Sequence, residues 1–163
     1  MNRQLCLNYE TFASKEQLSE EDCELIEAAI ESSRKAYAPY SKFHVGACLR
    51  LDDGRMVCGN NQENASYPQG LCAERVTLFS AAAQYPERTI TSMALVASES
   101  DAPLSPCGGC RQVLLEYEQR QQHPIRILMA SLTGEVVVLR QAADLLPFSF
   151  SKENLTSGGI QPQ

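Results

Sequence analysis

The stretch GLCAERVTLFSAAAQY, residues 70–85, decides the fold of this chain. A cysteine at position 72 precedes alanines and regularly spaced apolar residues, which predicts a buried helix that begins near Cys72. The continuously apolar segment SMALVAS follows at 92–98 and predicts a short buried strand. After a polar loop, a second helix is predicted from Gly108 to Gln121. This alternation of helix and strand indicates a layered α/β domain.

The flanking segments extend the same pattern. Ser19 and Asp22 form a capping pattern before apolar residues at helical spacing, so a helix is predicted over 19–36 and ends before Pro39. A short helical stretch is predicted over 141–148. Two hairpins are predicted, with strands at 45–51, 55–60, 125–131 and 135–140. The order α-β-β-α-β-α-β-β-α predicts a sheet of about five strands between helices.

Length and composition limit the class of protein. The 163 residues fit one domain, with a core at about 19–150 and loosely ordered ends at 1–17 and 151–163. The net charge of −6 and the lack of Lys/Arg runs argue against a nucleic-acid partner. No run of about 18 apolar residues predicts a membrane span. The N-terminus lacks the apolar core of a secretory signal, so a cytoplasmic location is expected.

Three cysteines have metal-ligand spacing. Cys107 and Cys110 form a C-x-x-C pair, which by itself also fits a redox pair or two unrelated buried thiols. Cys72, at the start of the other helix, changes this balance because three ligands leave a fourth position for water, as in catalytic zinc sites. Cys48 and Cys58 are alternative fourth ligands, but they lie in predicted strands, where core packing explains them better than a disulfide. Sulfur ligands favour zinc.

Glu74, two residues after Cys72, supplies a carboxylate beside the metal. In a first helical turn this carboxylate could serve only the helix dipole. Deaminases of nucleobases, however, carry H-x-E…P-C-x-x-C, with the glutamate as general acid and base. This chain has C-x-E…P-C-x-x-C.

The variant and its flanks resemble the homotetrameric cytidine deaminase family. The similar segments cover about residues 19–150 and are AYAPYSKFHVGACL, GNNQENASYPQGLCAER, SPCGGCRQVLLE and LLPFSF. The resemblance implies a three-layer α-β-α sandwich with a mixed five-stranded sheet and one Zn²⁺ per subunit. It also implies hydrolysis of cytidine and 2′-deoxycytidine to uridine and 2′-deoxyuridine plus ammonia, in pyrimidine salvage. Cys48 and Ser66 depart from the family pattern, and neither is expected to touch the chemistry.

Three thiolates give zinc an excess of negative charge, which weakens it as a Lewis acid. Helix N-termini at all three cysteines would stabilise the thiolates. Arg75 is either a solvated surface arginine or a donor to a thiolate sulfur, and the resemblance favours the second role. Gln112 is a weaker candidate for the same role.

The substrate residues follow from the resemblance. Asn61 and Glu63 correspond to residues that hold the ribose, although loop capping also explains Asn61. Phe43 would face the pyrimidine and Tyr67 the sugar, although either ring could belong to the core.

Two further contacts are expected. The Ala73 N–H would donate to the base O2 or to the bound water. Phe150 corresponds to a phenylalanine that stacks in a neighbouring subunit's pocket, so the resemblance implies a homotetramer with composite active sites. His44 is expected to be a solvent-exposed loop residue.

Three other functions compete. A deaminase of a blasticidin-type nucleoside lacks the Asn61–Asn64 N-x-E-N loop that is present here. Polynucleotide editing disagrees with the acidic balance of the chain. A non-catalytic zinc module would want a fourth ligand and would have no use for Glu74.

Overall fold

Helix α1, Glu20–Ser33, begins at a side-chain cap. The Ser19 side chain accepts a hydrogen bond from the Asp22 backbone N–H at 3.2 Å, as the capping pattern predicts. The helix ends three residues earlier than predicted, because the backbone N–H groups of Lys35 and Ala36 bond back only three residues, to Ser32 and Ser33. The structure is a computed structural model that describes residues 2–156, so the tail predicted to be frayed lies largely outside the described residues, from 157 onward.

Six strands form one mixed sheet. They are β1 Glu10–Phe12, β2 Val45–Leu51, β3 Met56–Asn60, β4 Ile90–Ala97, β5 Arg126–Ala130 and β6 Val136–Leu139. Their order in the sheet is β1-β6-β5-β4-β2-β3. The pair β4–β5 is parallel and the other pairs are antiparallel.

The sheet has six strands rather than the predicted five, because the edge strand β1 was not predicted. Its three residues pair with β6, with Glu10 opposite Val138 and Phe12 opposite Val136. A segment of three residues is too short to show a periodicity that predicts a strand. Its place in the sheet comes from its backbone pairing with β6. Residues 10–12 are therefore part of the sheet, whereas the sequence assigned them to a loose extension.

Helices cover both faces of the sheet, which gives the three-layer architecture that the resemblance implies. The remaining helices are α2 Ala73–Gln84, α3 Gly108–Gln121 and α4 Lys152–Thr156. Alternate residues of the strands point to opposite faces. On one face, α1 packs against a cluster that includes Cys48, Ala94, Val96 and Leu128. On the other face, α2 and α3 contribute to a cluster that includes Ala47, Leu49, Leu95 and Met129.

Gly46 allows α1 to lie directly on β2. A Cβ at this position would collide with the Ala29 carbonyl oxygen and the Ser33 backbone nitrogen of α1. Only glycine permits so close an approach of two backbones. Gly46 directly follows residues 43–45, which carry part of the candidate site, so this contact fixes the base of the site. Within residues 2–156, no helix has the length and apolarity needed to cross a membrane.

Cys48 and Cys58 form a disulfide, contrary to the expectation that packing explains them. They are direct partners in the β2–β3 ladder, with a Cα–Cα distance of 4.0 Å. Cys48 is fully buried beneath α1, whereas Cys58 is exposed on the edge strand. The predicted hairpin, with strands at 45–51 and 55–60, already places position 48 opposite position 58, because a short turn fixes the register of a hairpin. The sequence analysis missed the disulfide because it assigned both cysteines to core packing.

Candidate active site

Two helix N-termini bring three cysteine sulfurs together. Cys72 is the N-cap residue of α2, Cys107 is the N-cap residue of α3, and Cys110 lies in the first turn of α3. The Cys72 and Cys107 sulfurs are 3.9 Å apart, and the Cys107 and Cys110 sulfurs are 3.5 Å apart. All three sulfurs lie within 4.8 Å of one another.

These distances fit one tetrahedral metal ion. With metal–sulfur bonds of about 2.3 Å, neighbouring sulfurs of a tetrahedral zinc site lie about 3.8 Å apart. Cys48 and Cys58 are bonded to each other, so neither is available as a fourth ligand. Over residues 2–156, the three thiols are the group of metal-ligating side chains close enough to share an ion. The protein ligands therefore leave one coordination position open.

The surroundings favour negative charge on the Cys72 sulfur, whereas hydrogen bonding to Cys72 and burial raise the pKa of the Cys110 thiol. Hydrogen bonding to the Cys110 thiol, together with contacts to Arg75 and Cys107, lowers the pKa of Cys72 to about 5. The Arg75 nitrogen Nη2 lies 3.8 Å from the Cys72 sulfur, as expected for a donor to a thiolate. Helix N-termini add a positive potential at the same position. The Arg75 Nε is buried and has no hydrogen-bond partner among the described residues.

Glu74 lies beside the sulfurs in a nearly closed environment. It is the second residue of α2 and only 4% exposed. Burial raises the pKa of the Glu74 carboxyl, and the negative charge of Cys72 contributes to the same shift. A carboxyl with a raised pKa can both accept and return a proton near neutral pH.

A cavity of about 280 Å³ opens onto Glu74 and two of the cysteines. Its walls include four of the predicted substrate residues, which are Phe43, Asn61, Glu63 and Ala73. This volume is close to the lower end of small-molecule sites, roughly 300–1,000 Å³. Tyr67 lines a neighbouring cavity of about 380 Å³ that shares Ser41 and Glu63 with the first. Its ring is 74% exposed and pairs with Tyr40 at a centroid distance of 5.7 Å, so it is not a core residue.

Asn61 and Glu63 are held by the backbone of the segment opposite them. The Asn61 side chain accepts from the Val45 N–H at 2.8 Å and donates to the Phe43 carbonyl at 2.9 Å. One Glu63 carboxylate oxygen accepts from the N–H groups of Tyr40 and Ser41. Hydrogen bonding to Ser41 lowers the pKa of Glu63. The loop-capping alternative thus describes part of what both residues do, and a ligand would have to share these groups.

Phe150 and Gln112 contact each other rather than the sulfurs. The Gln112 side-chain nitrogen donates to the Phe150 carbonyl at 2.8 Å, which is the hydrogen bond that the structure gives this amide in place of the expected thiolate contact. Phe150 is 58% exposed, so it is accessible for contact with another molecule.

Arg111 is a site-supporting residue that the sequence analysis missed. Its guanidinium donates to the Pro106 carbonyl at 2.8 Å, to the Ser105 hydroxyl at 2.8 Å and to the Leu145 carbonyl at 3.1 Å. It therefore joins the loop before Cys107 to the segment that leads to Phe150. An arginine directly after C-x-x-C was visible in the sequence, but two of its three targets are backbone carbonyls, which no sequence pattern singles out.

Comparison with known proteins identifies a family. The sequence model described as "Cytidine and deoxycytidylate deaminase zinc-binding region" matches residues 19–123. A cytidine deaminase of Halalkalibacterium halodurans is 38% identical over 131 residues, 80% of this chain and 95% of that protein. A blasticidin-S deaminase of Bacillus cereus is 26% identical over 141 residues, 83% of this chain and 96% of that protein.

A solved structure extends the likeness to the fold. The crystal structure of a cytidine deaminase from Burkholderia pseudomallei matches with a TM-score of 0.72 and 42% sequence identity, over 82% of this chain and 100% of that one. The matched family region contains Cys72, Glu74, Cys107 and Cys110. The chain therefore belongs to the cytidine and deoxycytidylate deaminase zinc-binding family.

Proposed function

We propose that this protein is a zinc-dependent hydrolytic deaminase that converts cytidine and 2′-deoxycytidine to uridine and 2′-deoxyuridine with release of ammonia. The observation that carries the proposal is the convergence of three sulfurs at one open metal position, with the buried Glu74 beside them. A catalytic zinc site needs this open position for water. Relatives named cytidine deaminase, at 38–42% identity, support the nucleoside substrate.

The chain's own residues account for the proton transfers. Cys72, Cys107 and Cys110 would hold zinc, which supplies a Lewis acid that lowers the pKa of a water ligand toward about 7. Glu74 would accept the proton of the attacking water and deliver it to ring N3. It would then assist proton transfer to the departing amine, so that one water is consumed and one ammonia leaves. Its burial beside the sulfurs supports this role.

Arg75 and the two helix N-termini would offset the charge of the thiolates. Three thiolates around Zn²⁺ leave a net charge of −1, which opposes ionisation of the water. The contact between Arg75 and the Cys72 sulfur withdraws part of this charge. The position of the cysteines at the starts of α2 and α3 adds N–H dipoles.

The cavity walls support a nucleoside rather than a free base. Phe43 offers an aromatic face for the pyrimidine, and the Ala73 N–H at the start of α2 would donate to the base O2 or to the water. The Glu63 carboxylate would accept hydrogen bonds from the ribose hydroxyls, and the Asn61 side-chain amide would donate to them. Tyr67, in the adjoining cavity, would lie on the sugar side.

The competing functions have less support. The blasticidin-S deaminase is 26% identical, against 38% for the cytidine deaminase of similar coverage. A non-catalytic zinc module would close its coordination with a fourth residue, and the two candidates for that position are joined in a disulfide. Its buried carboxyl beside the metal would also have no purpose.

The proposal includes a homotetramer with composite active sites. The exposed ring of Phe150 and its tie to α3 through Gln112 support a residue that completes a neighbouring subunit's pocket. A chain cut after Phe148 should then lose cytidine affinity, and an unchanged Michaelis constant would argue against a composite site. The role in pyrimidine salvage and the cytoplasmic location stay predictions.

The direct test is the loss of cytidine absorbance on incubation with the zinc-loaded protein and with Glu74→Gln. Turnover by the wild type and its loss in Glu74→Gln, with zinc retained in both, would support the proposal. A folded, zinc-loaded wild type that converts no cytosine nucleoside would instead support the zinc-binding module.

A further inference from the structure

His44 is held by four hydrogen bonds to two consecutive residues. Its backbone N–H donates to Glu99 Oε2 at 2.7 Å, and its ring nitrogen Nδ1 lies 2.6 Å from Glu99 Oε1. Its carbonyl accepts from the Ser98 N–H at 2.9 Å and from the Ser98 hydroxyl at 3.2 Å. The side chains of His44 and Glu99 are 33% and 38% exposed. His44 is thus a loop residue, as expected, but its side chain is half-buried and paired rather than fully exposed to solvent.

This pair joins two walls of the active-site cavity. The neighbours of His44 on both sides, Phe43 and Val45, line the cavity. Glu99 follows β4 and begins the segment that leads to Leu104 and Ser105, which also line the cavity. A contact between positions 44 and 99 thus fixes the distance between the Phe43 wall and the loop before the metal ligands.

The segment that carries Phe43 needs such a restraint. Lys42, directly before it, has a φ of 58°, a left-handed conformation that favours glycine or asparagine and is costly for lysine. On one side Asn61 bonds the backbone of Phe43 and Val45. On the other side, Glu99 and Ser98 bond His44. A strained turn persists only when the contacts around it determine its conformation.

The contacts within the pair favour the ionised form of the Glu99 carboxyl. Partial burial would raise the pKa of Glu99, but hydrogen bonds from the His44 N–H and ring hold it below its ordinary value. His44 also contributes to the lowered pKa of Glu63 across the cavity, although Ser41 contributes more.

We infer that His44 and Glu99 are positioning residues, which hold the Phe43 ring where it meets the pyrimidine and so set the affinity for the nucleoside. The inference rests on the proposed deaminase function. Neither side chain would touch the substrate or the metal. The ring nitrogen Nδ1 of a histidine can donate to a carboxylate, and the side-chain nitrogen of asparagine can occupy the same place.

The test compares steady-state kinetics of the wild type with His44→Ala, Glu99→Ala and His44→Asn. We expect the two alanine variants to raise KM for cytidine about tenfold, with kcat and zinc content within twofold of the wild type. His44→Asn should restore KM to within about threefold. The double variant His44→Ala/Glu99→Ala should be no worse than Glu99→Ala alone, because the two residues act through one contact.

His123→Ala is the matched control, since the His123 ring bonds the Pro124 carbonyl, at the far end of α3 from Cys107. It should leave KM unchanged. If Glu99→Ala does not fold, Glu99→Gln keeps the shape and one acceptor while it removes the charge, and it should give an intermediate KM.

Two results would overturn the inference. An unchanged KM in His44→Ala and in the folded Glu99 variant would show that the pair does not position Phe43. A fall in kcat and zinc content together, with KM unchanged, would assign the pair to the metal loop instead. If the wild type itself converts no cytosine nucleoside, the proposed function fails first and this inference falls with it.

Discussion

This chain has two separate clusters of cysteines, one at the helix N-termini and one in the sheet, and the two clusters have different surroundings. Cys72, Cys107 and Cys110 meet where two helices begin, and the N–H dipoles and Arg75 stabilise thiolates there. Cys48 and Cys58 meet across two strands, and Cys48 lies within the apolar cluster beneath α1. A thiolate is favoured at the helix N-termini and disfavoured in the apolar cluster beneath α1. The same residue type therefore becomes a metal ligand at the helices and a disulfide in the sheet.

The two clusters are therefore expected to have different roles, one in the reaction and the other in the stability of the fold. The helix group faces a cavity with Glu74, so loss of a sulfur there should remove function. The strand group ties β2 to β3, and these two strands lead to Val45 and Asn61 at the edge of the cavity. Loss of a sulfur there should affect stability first.

The largest effect is expected from Cys110→Ala. Removal of one of three protein ligands should abolish zinc retention after dialysis and reduce deamination to background, because the two remaining sulfurs cannot hold the ion tightly. Zinc content by metal analysis and cytidine turnover measure the two losses. Cys23→Ala is the control, since the Cys23 thiol donates to the Lys15 carbonyl away from the site. A Cys110→Ala variant with full zinc content would contradict the assignment of this ligand.

Glu74→Gln should have the next largest effect and should separate proton transfer from metal binding. The amide has nearly the same shape but cannot accept the water's proton, so kcat should fall by about 10²–10⁴-fold. Zinc content should stay at the wild-type level. Activity within tenfold of the wild type would mean that another group carries the proton.

Arg75→Ala should have an intermediate effect and tests why the helix cysteines remain thiolates. Loss of the Arg75 contact to Cys72 should reduce kcat or zinc affinity by about 10–100-fold while the fold persists. Arg120→Ala is a suitable control, since the Arg120 guanidinium lies over the Tyr117 ring on the same helix as two of the ligands. Wild-type activity and metal content in Arg75→Ala would refute charge neutralisation by this residue.

Cys58→Ser should have the smallest effect on activity. Loss of the disulfide should lower the free energy of unfolding by about 2–3 kcal/mol, because it closes a short loop in the unfolded chain. The wild type, and not Cys58→Ser, should then lose thermal stability when a reductant is added. Cys6→Ser removes an exposed free thiol and should behave as the wild type. If reduction exposes no additional thiols in the unfolded, metal-free wild type, the disulfide does not form in solution.

The sequence predicted those parts of the site that depend on local patterns. The C-x-E and P-C-x-x-C motifs identified the three sulfurs and Glu74, because each motif opens a helix and a helix N-terminus has a fixed local geometry. The long helices and the apolar strands were also predictable from periodicity. In contrast, β1 was missed because three residues, Glu10–Phe12, are too few to show such a pattern.

Contacts between distant segments were the least predictable. Gln112 was expected at a sulfur, and the structure instead gives its amide the Phe150 carbonyl. Arg111 was overlooked because two of its three partners are backbone carbonyls, those of Pro106 and Leu145. His44 was expected to be solvent-exposed, and its contact with Glu99 was missed because Glu99 lies 55 positions away in the sequence. In each case the missing information was the position of another segment.

The sequence by itself determined the sulfur ligands, the acidic residue beside them and the helices that present them. These features are set within a few residues by helix capping, hydrophobic periodicity and ligand spacing. Only the tertiary structure decided that β1 completes the sheet, that the Gln112 amide bonds the Phe150 carbonyl, and that Glu99 restrains the wall with Phe43. Strand register and the packing of loops depend on the whole fold, because their partners are far apart along the chain.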